Sequence, residues 1–364
     1  MSLQHNLTSI LSHTMIETNT VLKAAAKAHK ELGELKGVAA SMPNQYILIG
    51  TLSLQEAKES SEIENIITTH DALYQSNYRT KHFISHSAKE VHSYAEALKE
   101  GYQLTKQIGL LTNNTLKQIQ ETLEGNNAGF RKQAGTELKN DKTNEIIYTP
   151  PQDPNDIITL MNELEIFIND GSRSELDDLI KMALIHHQFE SIHPFYDGNG
   201  RTGRILNILY LVKQDLLGAP ILYLSRYINQ NKSKYYQLLQ STRDTNEWEP
   251  WVLFMLDAIT QTAKQTIQLI NQIKELMQQY KGRIKDKAPK IYSHELLNNL
   301  FKHPYTKIEF LENDLNLSRQ TCAKYLNQLE KLNLIKKHKL GKENFYINTA
   351  LFNTLQNIPA FDAN

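Results

Sequence analysis

Twelve consecutive residues, His193-Pro194-Phe195-Tyr196-Asp197-Gly198-Asn199-Gly200-Arg201-Thr202-Gly203-Arg204, bring an imidazole, a carboxylate, flexible glycines and two guanidinium groups into one short stretch. These residue types suit a phosphate-bearing substrate. The amides of Gly198, Asn199 and Gly200 would bind its oxygens, and Arg201 would fork onto them. Asp197 would hold a Mg²⁺ that bridges phosphates, as hard cations do with carboxylate oxygens. His193, with an ordinary pKa near ~6.5, would act as general base for a hydroxyl nucleophile. Base, cation and anion clamp together point to phosphoryl or nucleotidyl transfer.

The loop needs a rigid platform. Ile205-Leu206-Asn207-Ile208-Leu209-Tyr210-Leu211-Val212 follows it and is apolar on nearly every side, so a buried helix is expected to begin where the loop ends. Unpaired N–H groups and the helix dipole would then face the anion. Gly198, Gly200 and Gly203 also spell G-x-G-x-x-G, but the stretch before them is helical in pattern, and no strand–helix alternation surrounds them. A dinucleotide fold is thereby excluded. His186, His187 and His193 lack the spacing and carboxylate partner of a metal cluster, and His187 falls on an apolar helix face.

The whole chain sets outer limits. Its 364 residues suffice for two or three domains, and 40 basic against 40 acidic residues leave no overall field toward nucleic acid or membrane. A lone Cys322 excludes an internal disulfide framework and fits a reducing, cytoplasmic setting. No apolar run nears the ~18 residues of a membrane span, and no membrane partner is expected. Helical periods dominate: about 14–36, closed by Gly37; a stretch opened by the capping box Ser53-Leu54-Gln55-Glu56; 83–123, broken near Gly101 and capped again near Thr112; 155–169; 174–190; and 251–280. Between them, Gly- and Pro-punctuated residues 125–151 with Ile146-Ile147-Tyr148-Thr149 predict a small β-hairpin over 136–149. Residues 281–289 are polar and charged and read as a linker.

Beyond the linker, Leu315-Asn316-Leu317-Ser318 reads as the turn of a helix-turn-helix, with Ser318 as N-cap. Leu334-Ile335 and Phe345-Tyr346-Ile347 read as two strands of a wing joined by a basic turn through Gly341. Residues 302–342 hold nine basic and four acidic side chains, about +5 against −5 for the rest. A possible DNA contact through Arg319, Gln320 and Lys324 follows, and a packing or protein-docking role stays open beside it.

The central stretch resembles the signature of Fic-domain proteins, H-P-F-x-D-G-N-G-R-x-x-R, with every fixed position matched, and the resemblance runs from about residue 20 to 260. It implies a mainly α fold: a Fic-type helical bundle with a small β-hairpin flap, followed by a winged helix-turn-helix domain. The expected divisions are a helical region 1–110, a catalytic core 111–280, the linker 281–289 and a winged helix 290–364. It also implies adenylyl transfer from ATP with Mg²⁺ to a Ser, Thr or Tyr hydroxyl of a target protein docked on the flap. His193 would be the base and Asp197 the Mg²⁺ ligand. Phe195 would anchor the loop, and Gly198, Asn199, Gly200, Arg201, Arg204, Tyr235 and Tyr236 would lie at the nucleotide.

Ser60-Ser61-Glu62-Ile63-Glu64-Asn65 resembles the inhibitory helix of the same family, [ST]-x-x-x-E-[GN], through Ser60, Glu64 and Asn65. Glu64 would then take Arg204 from the γ-phosphate of bound ATP. Ser61-x-x-Glu64 is equally a capping box, which would make Glu64 a helix-end residue and no more. Two other functions remain open: a DNA-binding regulator whose Fic-like part senses nucleotide, and a hydrolase that removes AMP from a modified protein.

Overall fold

The structure is a computed structural model that describes residues 16–76, 83–139, 143–340 and 343–361. Residues 14 and 15 of the helix expected at 14–36, residues 140–142 of the expected hairpin, and Gly341 and Lys342 of the expected wing lie outside the described residues.

Helix α1 (Asn19–Ala40) runs through Gly37 and ends only before Pro43, because Val21, Ala25, Ala28, Leu32, Leu35 and Ala39 extend one buried stripe past the glycine. Helix α2 (Gln45–Ile63) is capped by Asn44, whose side chain accepts from the Tyr46 amide. Ser53 is therefore a buried residue in mid-helix rather than a cap. Then come α3 (His70–Gln75) and α4 (His86–Ile108). Gly101 does not break α4 as its sequence suggests: a Cβ there would stand 2.7 Å from Leu209 Cδ1 and 2.8 Å from Ile119 Cδ1. The glycine exists for close helix approach. Thr112 caps α5 (Asn113–Glu124) as expected.

Strands β1 (Leu138–Lys139) and β2 (Ile146–Tyr148) pair antiparallel, with Leu138 opposite Tyr148, inside the expected 136–149 hairpin. Helices α6 (Pro154–Asn169), α7 (Asp178–Ile192) and α8 (Asn199–Lys213) follow. Helix α8 is the centre of the molecule, buried on nearly every side among α7, α4, α5 and α2. Helices α9 (Ser225–Gln230) and α10 (Lys232–Thr245) lead to α11 (Glu249–Lys287), which packs along α1 and α7.

Residues 281–287 are the last turns of α11, not a linker. Tyr280 and Ile284 keep its buried stripe going, and the Lys and Arg between them are good helix formers that point outward. The Tyr280 hydroxyl reaches Leu334 O at 2.6 Å and Asn348 Oδ1 at 2.7 Å. One apolar core accordingly continues into the C-terminal unit.

That unit comprises α12 (His294–Lys302), β3 (Tyr305–Thr306), α13 (Ile308–Leu315), α14 (Arg319–Lys331), β4 (Lys336–Leu340), β5 (Glu343–Ile347) and α15 (Thr349–Gln356), with sheet order β3-β5-β4. Ser318 caps α14 as expected. The strand expected at Leu334 begins at Lys336, so the basic residues read as a turn are in the strand itself. They are exposed there, whereas Leu334 and Ile335 are buried ahead of it. The unit grips the remainder of the chain through α12 on α2, through stacked Tyr74 and Tyr305 rings 5.9 Å apart, and through the tail, where Arg226 donates to Ile358 O at 2.8 Å. No described helix is long and apolar enough to cross a membrane.

Gly101→Val forces a branched side chain into the α4–α5–α8 contact. We expect a loss of about 1–3 kcal/mol, read as a lower urea midpoint with an unchanged slope.

Candidate active site

Helix α7 ends at His193 in the left-handed conformation, φ 49° and ψ 59°, with its amide on Phe189 O at 2.9 Å. Pro194 cannot continue the helix, so the chain reverses and re-enters as α8. The loop between is closed by Asn199, whose Oδ1 accepts from the Phe195 amide and whose Nδ2 donates to Phe195 O, both at 2.8 Å. Asn199 is buried, and its side chain is committed to the loop. Phe195 is fully buried between Phe130 and Phe189, with ring centroids at 5.3 and 6.3 Å. Gly198 has φ 76°, and a Cβ there would meet Glu124 Oε1 at 2.5 Å; on Gly200 it would meet Glu64 Oε1 at 2.6 Å. Carboxylates crowd this helix start.

They crowd it because of the two arginines. Arg204 is buried; its Nε donates to Ser60 Oγ at 2.7 Å, and its Nη2 to Ser60 O at 2.9 Å and Glu64 Oε1 at 2.7 Å. Arg201, also buried, donates from Nε to Glu64 Oε2 (2.8 Å), from Nη1 to Glu90 Oε2 (3.0 Å) and from Nη2 to Glu124 Oε1 (2.8 Å). Glu64 thus spends one oxygen on each guanidinium. Burial works against both cations, yet Glu64 holds their pKa values above the ordinary arginine value. Burial pushes Glu124 up to about 7 despite Arg201.

Glu64 stands at a well-formed helix end. It is the C-cap of α2, Asn65 follows at φ 62°, Asn65 N donates to Glu62 O, and Ile66 N donates to Ser61 O, each at 3.0 Å. This is a Schellman motif, which favours Gly or Asn in its left-handed position. It also settles the capping-box alternative: Ser61 lies in the last turn of α2, not ahead of a helix.

The His193 side chain is partly buried. Burial, with Arg131 and Arg243 near it, pushes its pKa down to about 4, so the ring is neutral and able to accept a proton at physiological pH. Asp197 is exposed, and one carboxylate oxygen accepts from the Gly198 amide at 2.8 Å. Among the described residues no cluster of three or more metal-ligating side chains occurs. A lone accessible carboxylate fits a Mg²⁺ that arrives with phosphates, since this ion keeps its waters and takes one or two carboxylates.

Tyr235 is buried, with its hydroxyl 2.8 Å from His186 Nε2, and packs on Trp251; it belongs to the core behind Arg204 rather than to an open cleft. Tyr236 is 46% exposed beside it. Exposed Ile146 and Ile147 lie on the hairpin. The sequence reading missed Glu90, Glu124, Arg131, Glu190 and Arg243. Buried Glu190, its Oε1 without a hydrogen-bond partner among the described residues and its pKa raised by burial to about 7, sits against Gly203. None of the five lies in a local pattern; only the tertiary fold brings them here.

Comparison with known proteins gives three family matches: the Fic/DOC family N-terminal model over residues 22–103, the Fic/DOC family model over 110–211, and the model of the C-terminal domain of SoFic-like protein adenylyltransferases over 276–351. The chain is similar to the protein adenylyltransferase Fic of Drosophila virilis and that of Drosophila melanogaster. Each is 34% identical over 112 residues, covering 31% of this chain and 22% and 21% of those proteins respectively. The aligned part thus spans about a fifth of the length of these curated relatives. Among solved structures, the fold is similar to a Fic family protein from Desulfovibrio desulfuricans G20, with a TM-score of 0.57, 20% identity, and 92% and 97% of the two chains covered. It is also similar to a Fic domain containing signaling protein from Bacteroides thetaiotaomicron VPI-5482, with a TM-score of 0.53, 16% identity, and 67% and 97% covered.

Asn199→Ala leaves a buried amide and carbonyl of Phe195 without partners. It should lower stability by about 1–3 kcal/mol, seen as a reduced denaturant midpoint. A side chain reserved for ligand would leave that midpoint unmoved.

Proposed function

The chain belongs to the Fic/DOC family, and we propose that it is a protein adenylyltransferase held at rest by its own helix α2. One observation carries this reading: an imidazole-bearing turn, a glycine loop and two buried guanidiniums follow one another at the start of a single core helix, and Glu64 occupies both guanidiniums.

The proposed reaction is transfer of AMP from ATP to a Ser, Thr or Tyr hydroxyl of a protein. His193 accepts the hydroxyl proton, the oxygen bonds to the α-phosphorus, the bond to the β-phosphate oxygen breaks, and pyrophosphate leaves. Arg201 and Arg204 take the β- and γ-phosphates, with the loop amides of Gly198, Asn199 and Gly200 beside them. Asp197 would hold Mg²⁺, which supplies charge neutralisation to the phosphates. Tyr236, with its exposed ring, is the better placed of the tyrosine pair to meet the nucleotide. The hairpin β1–β2 would take the target segment as an added strand.

Glu64 restrains the reaction by competition, since a guanidinium fork on Glu64 is withheld from the γ-phosphate and the nucleotide then settles with its α-phosphate misaligned. A clamp of about 2.7 kcal/mol keeps roughly 99% of molecules idle. The hydrolytic alternative needs Glu64 to orient water, whereas both of its oxygens are on arginines. We read the C-terminal unit as a winged helix that serves chiefly as a packing element, because α12, Tyr305 and the tail all bond to the catalytic part. The exposed lysines of β4 favour a DNA contact only weakly. The buried thiol of Cys322 suits a reducing, cytoplasmic setting.

Incubated with labelled ATP and Mg²⁺, the Glu64→Gly protein should incorporate AMP at least tenfold faster than the parent. Unchanged or slower labelling rejects the inhibitory role. Adding His193→Ala should abolish labelling while leaving ATP affinity within about threefold, and persistent transfer removes His193 from the base role.

A further inference from the structure

Among the described residues no side chain is hydrogen-bonded to the ring of the proposed base. His193 Nδ1 is buried and has no side-chain partner among the described residues, and the Glu190 backbone is the one hydrogen-bonding group recorded for the ring. Bases in such sites are ordinarily aligned by a third group on the second ring nitrogen. The direction of this imidazole is left to main chain, the Glu190 backbone and its own, and its own is left-handed, a conformation that non-glycine residues keep only when the surroundings hold it.

Arg131 is what surrounds it. The side chain is 1% exposed. Its Nε donates to His193 O at 2.8 Å, its Nη2 donates to Ile192 O at 3.3 Å and to Pro151 O, and its own amide donates to Pro194 O at 2.8 Å. The carbonyls of Ile192, His193 and Pro194 are thus all engaged by one residue. Arg131 precedes β1 and Pro151 follows β2, so the same guanidinium also closes the base of the hairpin.

We propose that Arg131 is a positioning residue that locks the His193 turn to the base of the hairpin, so that one side chain sets both the imidazole and the strand on which a target would lie. The proposal rests on the assignment of His193 as base. A planar fork can serve carbonyls in several directions from a fixed place. Lysine keeps the charge but, as a point donor, cannot reproduce the fork.

The charge gives a second, separable readout. His193 is faced by Arg131 ahead of the hairpin, by Arg243 from α10, which lies 4.1 Å from the Tyr148 ring, by Asp197 in the loop, and by the Glu190 backbone. Both arginines oppose the imidazolium and Asp197 favours it. Removing the Arg131 charge makes protonation easier, so the base becomes blocked at a higher pH than before.

The test uses the full chain carrying Glu64→Gly as the active parent, with turnover measured against pH and ATP concentration. Arg131→Lys should lower kcat about tenfold and Arg131→Met about a hundredfold, with KM for ATP within about twofold. The acid limb of the kcat profile should stay in place for Lys and move to higher pH for Met. A kcat within twofold of the parent in both variants, or an unmoved acid limb in a folded Met variant, overturns the proposal. If the Met variant does not fold, the Lys variant decides: a parental kcat there overturns it. His193→Ala in the same background separates the two claims. Residual transfer there refutes the base itself, whereas loss there with parental rates at Arg131 refutes the positioning alone.

Discussion

Two guanidinium cations buried in the first turns of one helix are the constraint on which the site depends. They sit where the helix dipole is already positive, so burying them unpaired would cost several kcal/mol each. Ser60, Glu64, Glu90 and Glu124 converge from α2, α4 and α5 to meet that demand. Any polyanion that fits the same place can meet it too. Under the proposed function, the resting protein and the nucleotide complex are two solutions to one electrostatic problem, and Glu64 is the group that must exchange with phosphate.

That exchange depends on how firmly the end of α2 is set. The Schellman turn at Glu64-Asn65-Ile66 fixes the backbone, so the carboxylate reaches both arginines without searching. One turn earlier, Glu59 pairs with Arg226 at 3.0 Å and accepts from Asn229 at 2.9 Å, and Arg226 in turn holds the tail carbonyls of Ile358 and Pro359. The C-terminal unit is therefore bonded to the helix that carries Glu64. The continuous core and the unbroken α11 make it part of one packed body.

Local structure was legible in the sequence where the physics is local. The His193–Arg204 stretch, the core helix after it, the hairpin at 136–149 and the caps at Thr112 and Ser318 all rest on near-neighbour rules. Glycines misled where tertiary packing overrode propensity: Gly37 and Gly101 lie inside helices, the second because α4 must touch α5 and α8. Charge misled at 281–287, where the lysines and arginine decorate the outer face of a helix whose buried stripe continues beneath them. Asn199 and Tyr235 were placed at the nucleotide by the family resemblance, and their side-chain polar atoms hydrogen-bond within the protein. The counter-ions of Arg201 and the clamp of Arg131 join segments far apart in sequence, and no spacing rule could have paired them.

The central claim is that Glu64 occupies the place of a γ-phosphate. Calorimetric affinities for ATP and ADP, measured with the parent chain and with Glu64→Gly, test it most directly because the two ligands differ only in that group. The account predicts near-equal affinities in the parent and at least a tenfold preference for ATP in the variant, about 1.4 kcal/mol. An ATP-to-ADP ratio that is the same in both proteins would contradict it.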